Sequence, residues 1–192
     1  MSENLKKVAL LLSLMLVAIV APIEAAFAGT ICFQAGQAES LTSDPSCAVV
    51  TNAGFAGWHQ PITRDCDQST AEGFVFHFNY PPDAPFGATD FTPRFWARSV
   101  GGGDSKWNVT LGCTKAGQNY FGQTNGSGAG ATITVTHVAN NDVLVQGSAI
   151  GISGVDSTYS RARCTAKVIR IATDAADTLA ADAAVTSLCL DY

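Results

Sequence analysis

The chain has 192 residues, of which 14% are charged, and a formal net charge of −5 at pH 7. Eleven Lys and Arg against sixteen Asp and Glu exclude a nucleic-acid binder, which needs a clustered basic surface, and an attraction to anionic membrane surfaces. Six cysteines and 18 glycines point instead to a stapled, turn-rich fold.

Residues 1–28 read as an export signal rather than as part of the fold. Lys6 and Lys7 form a positive start, "VALLLSLMLVAIVA" (8–21) is an apolar run, and Ala26-Phe27-Ala28 offers the small residues that signal peptidase accepts. The run is shorter than the roughly 20 apolar residues of a membrane span. Cys32 follows Ile31, which does not suit lipid attachment. Cleavage after Ala28 is expected, with no membrane span after processing and a secreted or cell-surface location, the periplasm being the other destination. In such a compartment an even set of cysteines, Cys32, Cys47, Cys66, Cys113, Cys164 and Cys189, reads as disulfides. No two are spaced C-x-x-C, so zinc and redox motifs are poorly served, and all 15 pairings stay open. No cofactor is expected.

In chain order, residues 29–71 are irregular and carry three of the cysteines. They read as a cysteine-containing N-terminal arm, or an extra hairpin, laid over a main domain at 72–192. From residue 73 the pattern is two-residue alternation. "GFVFHFNY" sets Phe74, Phe76, Phe78 and Tyr80 on one face, and "PPDAP" (81–85) ends it, since proline cannot donate to a ladder. "RFWARSV" (94–100) and "KWNVTLGC" (106–113) flank "GGGDS" (101–105) and are predicted to pair as a hairpin. "ATITVTHV" (131–138) alternates Ile133, Val135 and His137 against Thr132, Thr134 and Thr136. "VLVQGSAI" (143–150), "ARCTAKVIRIA" (162–172) and "AVTSLCLDY" (184–192) complete the set. Between the last two, "DTLAADA" (177–183) has the pattern of one or two helical turns, with Asp177 or Thr178 as N-cap. Seven to eight strands with frequent turns predict an all-β, antiparallel, jelly-roll-like β-sandwich.

Three quoted stretches carry a resemblance: "FVFHFNYPPDAP", "RFWARSVGGGDSKWNV" and "RIATDAADTLAADAAVTSLCLDY". In the last, Arg170, Asp177, Thr178, Leu179, Asp182 and Tyr192 fall on a pattern of Arg, then Asp-Thr-Leu-x-x-Asp-Ala, then an acidic residue and Tyr. Region 73–192 thereby resembles an uncharacterised family of small β-sandwich proteins from phage genomes and environmental bacterial sequences. Ile171 stands where that family tends to carry Asp. The resemblance implies a β-sandwich and a structural or surface role, and it carries no catalytic residues.

The chemistry is sparse. Asp174, Asp177 and Asp182 lack the ligand spacing, the glycine and the closing Glu of a calcium loop. They are expected to form an architectural clasp, with Asp177 capping the short turn and Asp182 or Asp174 pairing with Arg170, whose planar fork suits carboxylates, and no metal is expected. "NGSGA" and "GISGV" each miss the G-x-S-x-G elbow at an outer glycine. His59, His77 and His137 stand apart from any nucleophile motif, so no catalytic residue and no enzyme is expected. Trp96 and Trp107 are assigned to the core, where large aromatics dominate burial. Trp58, Tyr120 and Phe121, in loop-like segments, are the candidates for stacking a ligand.

Two functions follow. The leading one is a non-catalytic exported structural or interaction protein, a subunit or module of a filament- or virion-like surface assembly, partnered by itself or by other surface proteins. The alternative is a carbohydrate-binding module with a glycan partner, resting on Trp58, Tyr120 and Phe121.

Overall fold

A computed structural model of the chain describes residues 29–41, 45–51, 62–84, 88–114, 130–153 and 162–192. The expected signal segment, together with Trp58, His59, Tyr120 and Phe121, lies outside the described residues. Twelve strands run β1 (Thr30–Gln34), β2 (Glu39–Ser40), β3 (Ala48–Thr51), β4 (Ile62–Cys66), β5 (Glu72–Asn79), β6 (Ala88–Ser99), β7 (Gly103–Thr114), β8 (Ala131–His137), β9 (Asp142–Gln146), β10 (Ile150–Ser153), β11 (Arg163–Arg170) and β12 (Ala183–Asp191). They form two antiparallel sheets. The larger is ordered β10-β6-β12-β4-β3, with β9 also on β6 and β1 also on β12; the smaller is ordered β2-β5-β11-β7-β8. The predicted antiparallel sandwich is therefore the fold, with twelve described strands instead of seven or eight.

Period-two alternation builds the core, because successive side chains of a strand point to opposite faces. β7 turns Trp107, Val109 and Leu111 inward, and β8 turns Ile133 and Val135 inward while Thr132, Thr134 and Thr136 face out. Phe74 and Phe76 of β5 are buried, and Phe33 of β1 stacks on Phe76 at 5.0 Å between ring centroids. From the opposing sheet, Phe95 meets Trp107 edge-on at 5.6 Å.

Three expectations are corrected. β6 and β7 do not pair as a hairpin: β6 lies in the larger sheet and β7 in the smaller. The glycine turn carries the chain across the sandwich, and Gly103 takes a φ of 137° where a Cβ would sit 3.1 Å from the Thr178 carbonyl oxygen, a conformation glycine alone adopts readily. The arm is not an appendage. Its described residues supply β1, β3 and β4 to one sheet and β2 to the other. Buried Arg64 of β4 fastens the β1–β2 connection by donating to the carbonyl oxygens of Ala35 and Ala38. Alternation is obscured there because these strands are short, two to five residues. Finally, residues 177–182 form irregular chain with a bend at Ala181, running into β12 at Ala183, rather than a helix. The carbonyls of Leu179 and Ala181, which a helical ladder would use as acceptors, accept from the Arg170 guanidinium at 3.0 and 2.9 Å, so tertiary contacts replace the helical ladder.

The cysteines pair Cys32–Cys189, Cys47–Cys66 and Cys113–Cys164. Each bridge joins neighbouring strands within one sheet. Cys32 is opposite Cys189, Cys113 is opposite Cys164, and Cys47 precedes the Ala48–Asp65 pair. The Cα separations of 4.1, 4.3 and 4.0 Å suit non-hydrogen-bonded antiparallel pairs, which bring Cα atoms to about 4.5 Å. The bridges lock register; the two sheets are held together by packing. Three disulfides belong to an oxidising compartment.

Candidate functional site

The carboxylate corner is structural. Arg170 ends β11 fully buried, and all five of its N–H groups are used. Nε and Nη2 grip the two oxygens of Asp177 at 3.0 and 2.9 Å. Nη1 donates to the Cys66 and Ala181 carbonyls, and Nη2 to that of Leu179. Asp177 also accepts the Lys106 backbone N–H at 3.0 Å. Burial alone would raise the Asp177 pKa, but the hydrogen bonds from Arg170 and Lys106 and the guanidinium charge outweigh it and hold it below the ordinary value. The partner of Arg170 is therefore Asp177, expected only as a cap, and not Asp182 or Asp174. Asp174 instead accepts the Ala176 N–H at 2.8 Å, and the Asp182 side chain faces a cleft on the outer surface. Among the described residues no group of three or more His, Cys, Asp or Glu stands close enough to hold a metal ion.

A serine and a histidine do meet, but inside the core. Trp107 Nε1–H donates to Ser105 Oγ at 2.7 Å, and the same hydroxyl oxygen lies 2.7 Å from His137 Nε2. The other ring nitrogen, Nδ1, has no hydrogen-bond partner among the described residues. Burial, followed by the charge of Arg170, lowers the His137 pKa. Ser105 is fully buried and His137 nearly so, so the pair cannot reach a substrate. His77 is exposed on the other face of that sheet, 3.6 Å from Glu39.

The surface that does offer a site is the outer face of the larger sheet. Trp96 corrects the expectation that it joins Trp107 in the core: Trp107 is fully buried, whereas Trp96 is 44% exposed. The reason is parity. Phe91, Phe95 and Ala97 of β6 point inward, so Trp96 must share the outer face with Arg94 and Arg98. Across the ladder it lies beside Leu144 of β9 and Ser187 of β12. The β12 register shifts between Val185 and Ser187, and Thr186 at that bulge donates to the Trp96 carbonyl at 3.5 Å. Bulges commonly re-aim side chains beside functional surfaces.

Beside Trp96 the sheet opens into a cleft of about 360 Å³. Its floor is Ala184, which stands in register with Arg98 on one side and Asp65 on the other. A small residue between two long ones makes the depression. Ser99, Val100, Asn140 and Asp182 complete the lining. Two backbone features shape that end: Ser99 Oγ–H donates to the Asp182 carbonyl at 2.7 Å, and Asn140, at φ 64°, donates its N–H to the Ser99 carbonyl at 2.8 Å. Asn tolerates this left-handed conformation better than most residues. Sequence reasoning missed this site, although one signal was present: Trp96 lies two residues from an arginine on either side.

No family model matches the chain, and no curated protein matches it. Among solved structures it is similar to a family 35 carbohydrate-binding module of Cellvibrio japonicus Abf62, at TM-score 0.46 and 12% identity over 84% of this chain and 92% of that one. It is similar to the family 11 carbohydrate-binding module of Clostridium thermocellum, solved with a mixed-linked tetrasaccharide, at TM-score 0.38 and 12% identity over 89% and 92%. It also matches an Arthrobacter globiformis T6 isomalto-dextranase complexed with panose, at TM-score 0.43 and 14% identity, over 85% of this chain but 23% of that one. These likenesses are distant, and what this chain binds has to be argued from its own surface. Against the leading expectation, three of the similar structures are carbohydrate-binding modules and none of the three is a subunit of a filament- or virion-like assembly.

Proposed function

We propose that this chain is a non-catalytic carbohydrate-binding module of an exported protein, and that its ligand stacks on Trp96. One observation carries the reading: a half-exposed indole stands on the outer face of a rigid sheet, ringed by hydrogen-bonding side chains. β6 is twelve residues long and is laddered by β12 on one side and by β9 and β10 on the other, so the ring is held by scaffold rather than by a loop. Around it, Arg94, Arg98, Gln146, Thr186 and Ser187 offer donors and acceptors, while among its described ladder partners Leu144 is the exposed apolar one. A sugar ring matches that surface, with an apolar C–H face for the indole and a rim of hydroxyls for the polar groups. A protein partner would call for a wider apolar patch, and the acidic balance of the chain disfavours nucleic acid.

The magnitude is useful. Covering most of the exposed part of the indole removes on the order of 100 Å² from water, which corresponds to about 2–3 kcal/mol. Trp96→Ala should therefore weaken retention about 30- to 150-fold. Affinity electrophoresis of the chain spanning 29–192 through gels containing soluble polysaccharides tests this, beside a Trp96→Ala variant of unchanged fold. Retention of the wild type that survives the substitution would remove Trp96 from the site; absence of retention on every polysaccharide would sink the function.

A further inference from the structure

Resting on the reading of Trp96 as a sugar platform, we infer that the cleft floored by Ala184 is a second subsite, and that the two together select a linear, uncharged glycan lying along β6. The two features are neighbours in the fold. Trp96 and Arg98 are two residues apart on one strand, and Arg98 is directly across from Ala184. Two residues of a strand advance about 7 Å, comparable with the advance of one pyranose residue along a chain. A sugar stacked on Trp96 therefore places the next one over the cleft, whose volume of about 360 Å³ falls in the range of small-ligand sites. The two subsites differ in kind. At Trp96 the contact is apolar stacking. In the cleft, Asp65, Asp182 and Asn140 present oxygens and an amide to hydroxyl groups.

The charge of the lining sets the ligand class. Two acidic residues, Asp65 and Asp182, line the cleft beside one arginine, Arg98. Asp142 stands across from Arg98 in register, and Arg94, on the far side of Trp96, is ion-paired with Asp191. A ligand carboxylate would enter a field that is negative on balance, in a chain whose net charge is −5. Hydroxyls, in contrast, can donate to both carboxylates.

Isothermal titration calorimetry tests this with neutral oligosaccharides of one to five residues drawn from a retained polysaccharide, and with a uronate oligomer of matched length at low salt. Affinity is expected to rise at least tenfold once the oligosaccharide spans both subsites, and the uronate to bind at least tenfold more weakly than its neutral counterpart. Ala184→Phe, which fills the cleft from the outer face, should cancel the gain with length and leave binding of the shortest retained ligand within about twofold. Asp182→Ala should lower the gain several-fold and serves where Ala184→Phe disturbs the sheet. Trp96-dependent binding with no rise with length, or with no response to either cleft variant, would overturn the second subsite and leave the proposed function standing. Uronate binding as tight as neutral binding would overturn the charge selection. No binding to any glycan would overturn both readings.

Discussion

Replacing Arg170 by Met tests the account of the carboxylate corner most directly. The substitution keeps a long apolar stem in a fully buried position and removes five donors at once. Asp177, whose side chain is 1% exposed, would keep backbone N–H donors such as that of Lys106 but become a buried charge without a counter-ion. Breaking a buried pair in this way costs about 3–5 kcal/mol, a large share of the roughly 5–15 kcal/mol that separates folded from unfolded domains. For a chain of this size that is a fall in Tm of roughly 6–20 °C. Urea unfolding with the disulfides intact, followed by far-ultraviolet circular dichroism, would measure it as a lower midpoint at unchanged slope. The double variant Arg170→Met/Asp177→Leu should recover only part of the loss. It removes the stranded charge, but the carbonyls of Cys66, Leu179 and Ala181 still lack their donor.

The pH dependence carries the same logic. The folded Asp177 pKa is depressed, so its contribution is complete above the unfolded value of about 3.9. It is lost as pH falls through the lower folded value, because the unfolded chain then binds the proton more readily. A loss below about 1 kcal/mol for Arg170→Met, well under the buried-pair range, would refute the reasoning.

Three further outcomes are expected. Trp107→Ala should cost about 3–5 kcal/mol, whereas Trp96→Ala should leave stability within about 0.5 kcal/mol, as surface changes do; similar losses from the two in the same denaturation assay would undo the distinction between core and platform. His137 is held neutral by burial, so stability should begin to fall as pH drops below the unfolded histidine value of about 6.5. A His137→Gln variant should show a flatter profile between roughly pH 6.5 and 5. An unchanged slope would mean that the imidazole does not titrate with folding. Mild reductant should open Cys32–Cys189 first, since Cys32 is exposed while the sulfurs' hosts Cys66, Cys113 and Cys164 are buried. Mass mapping of alkylated cysteines would show the order, and Cys32→Ser/Cys189→Ser should cost about 2–4 kcal/mol.

The fold class was legible because alternation is written locally. A residue of β7 or β8 finds its inner or outer face from its two-residue neighbours, and long strands repeat the signal often enough to be read. What the alternation does not encode is the partner. β6 and β7 are consecutive and separated by a glycine turn, yet the turn crosses the sandwich instead of reversing within a sheet. Likewise the "DTLAADA" segment has a helical pattern, but the Arg170 guanidinium of β11 donates to the carbonyls of Leu179 and Ala181. The short strands of 29–71 are recognisable only against the strands they join, β12 and β5.

The candidate site divides in the same way. From composition and motifs alone, the sequence determined an acidic, cysteine-paired, sandwich-forming chain with no clustered catalytic motif. The parity of Trp96 was readable there too, from Arg94 and Arg98 on either side, although a tryptophan in an apolar strand invites assignment to the core. Only the tertiary structure decided which three strands place Arg98, Ala184 and Asp65 in one row, and that a bulge at Thr186 sits beside the indole. Those residues lie far apart in sequence, and hydrogen-bonded register, a property of the folded sheet, brings them onto one face.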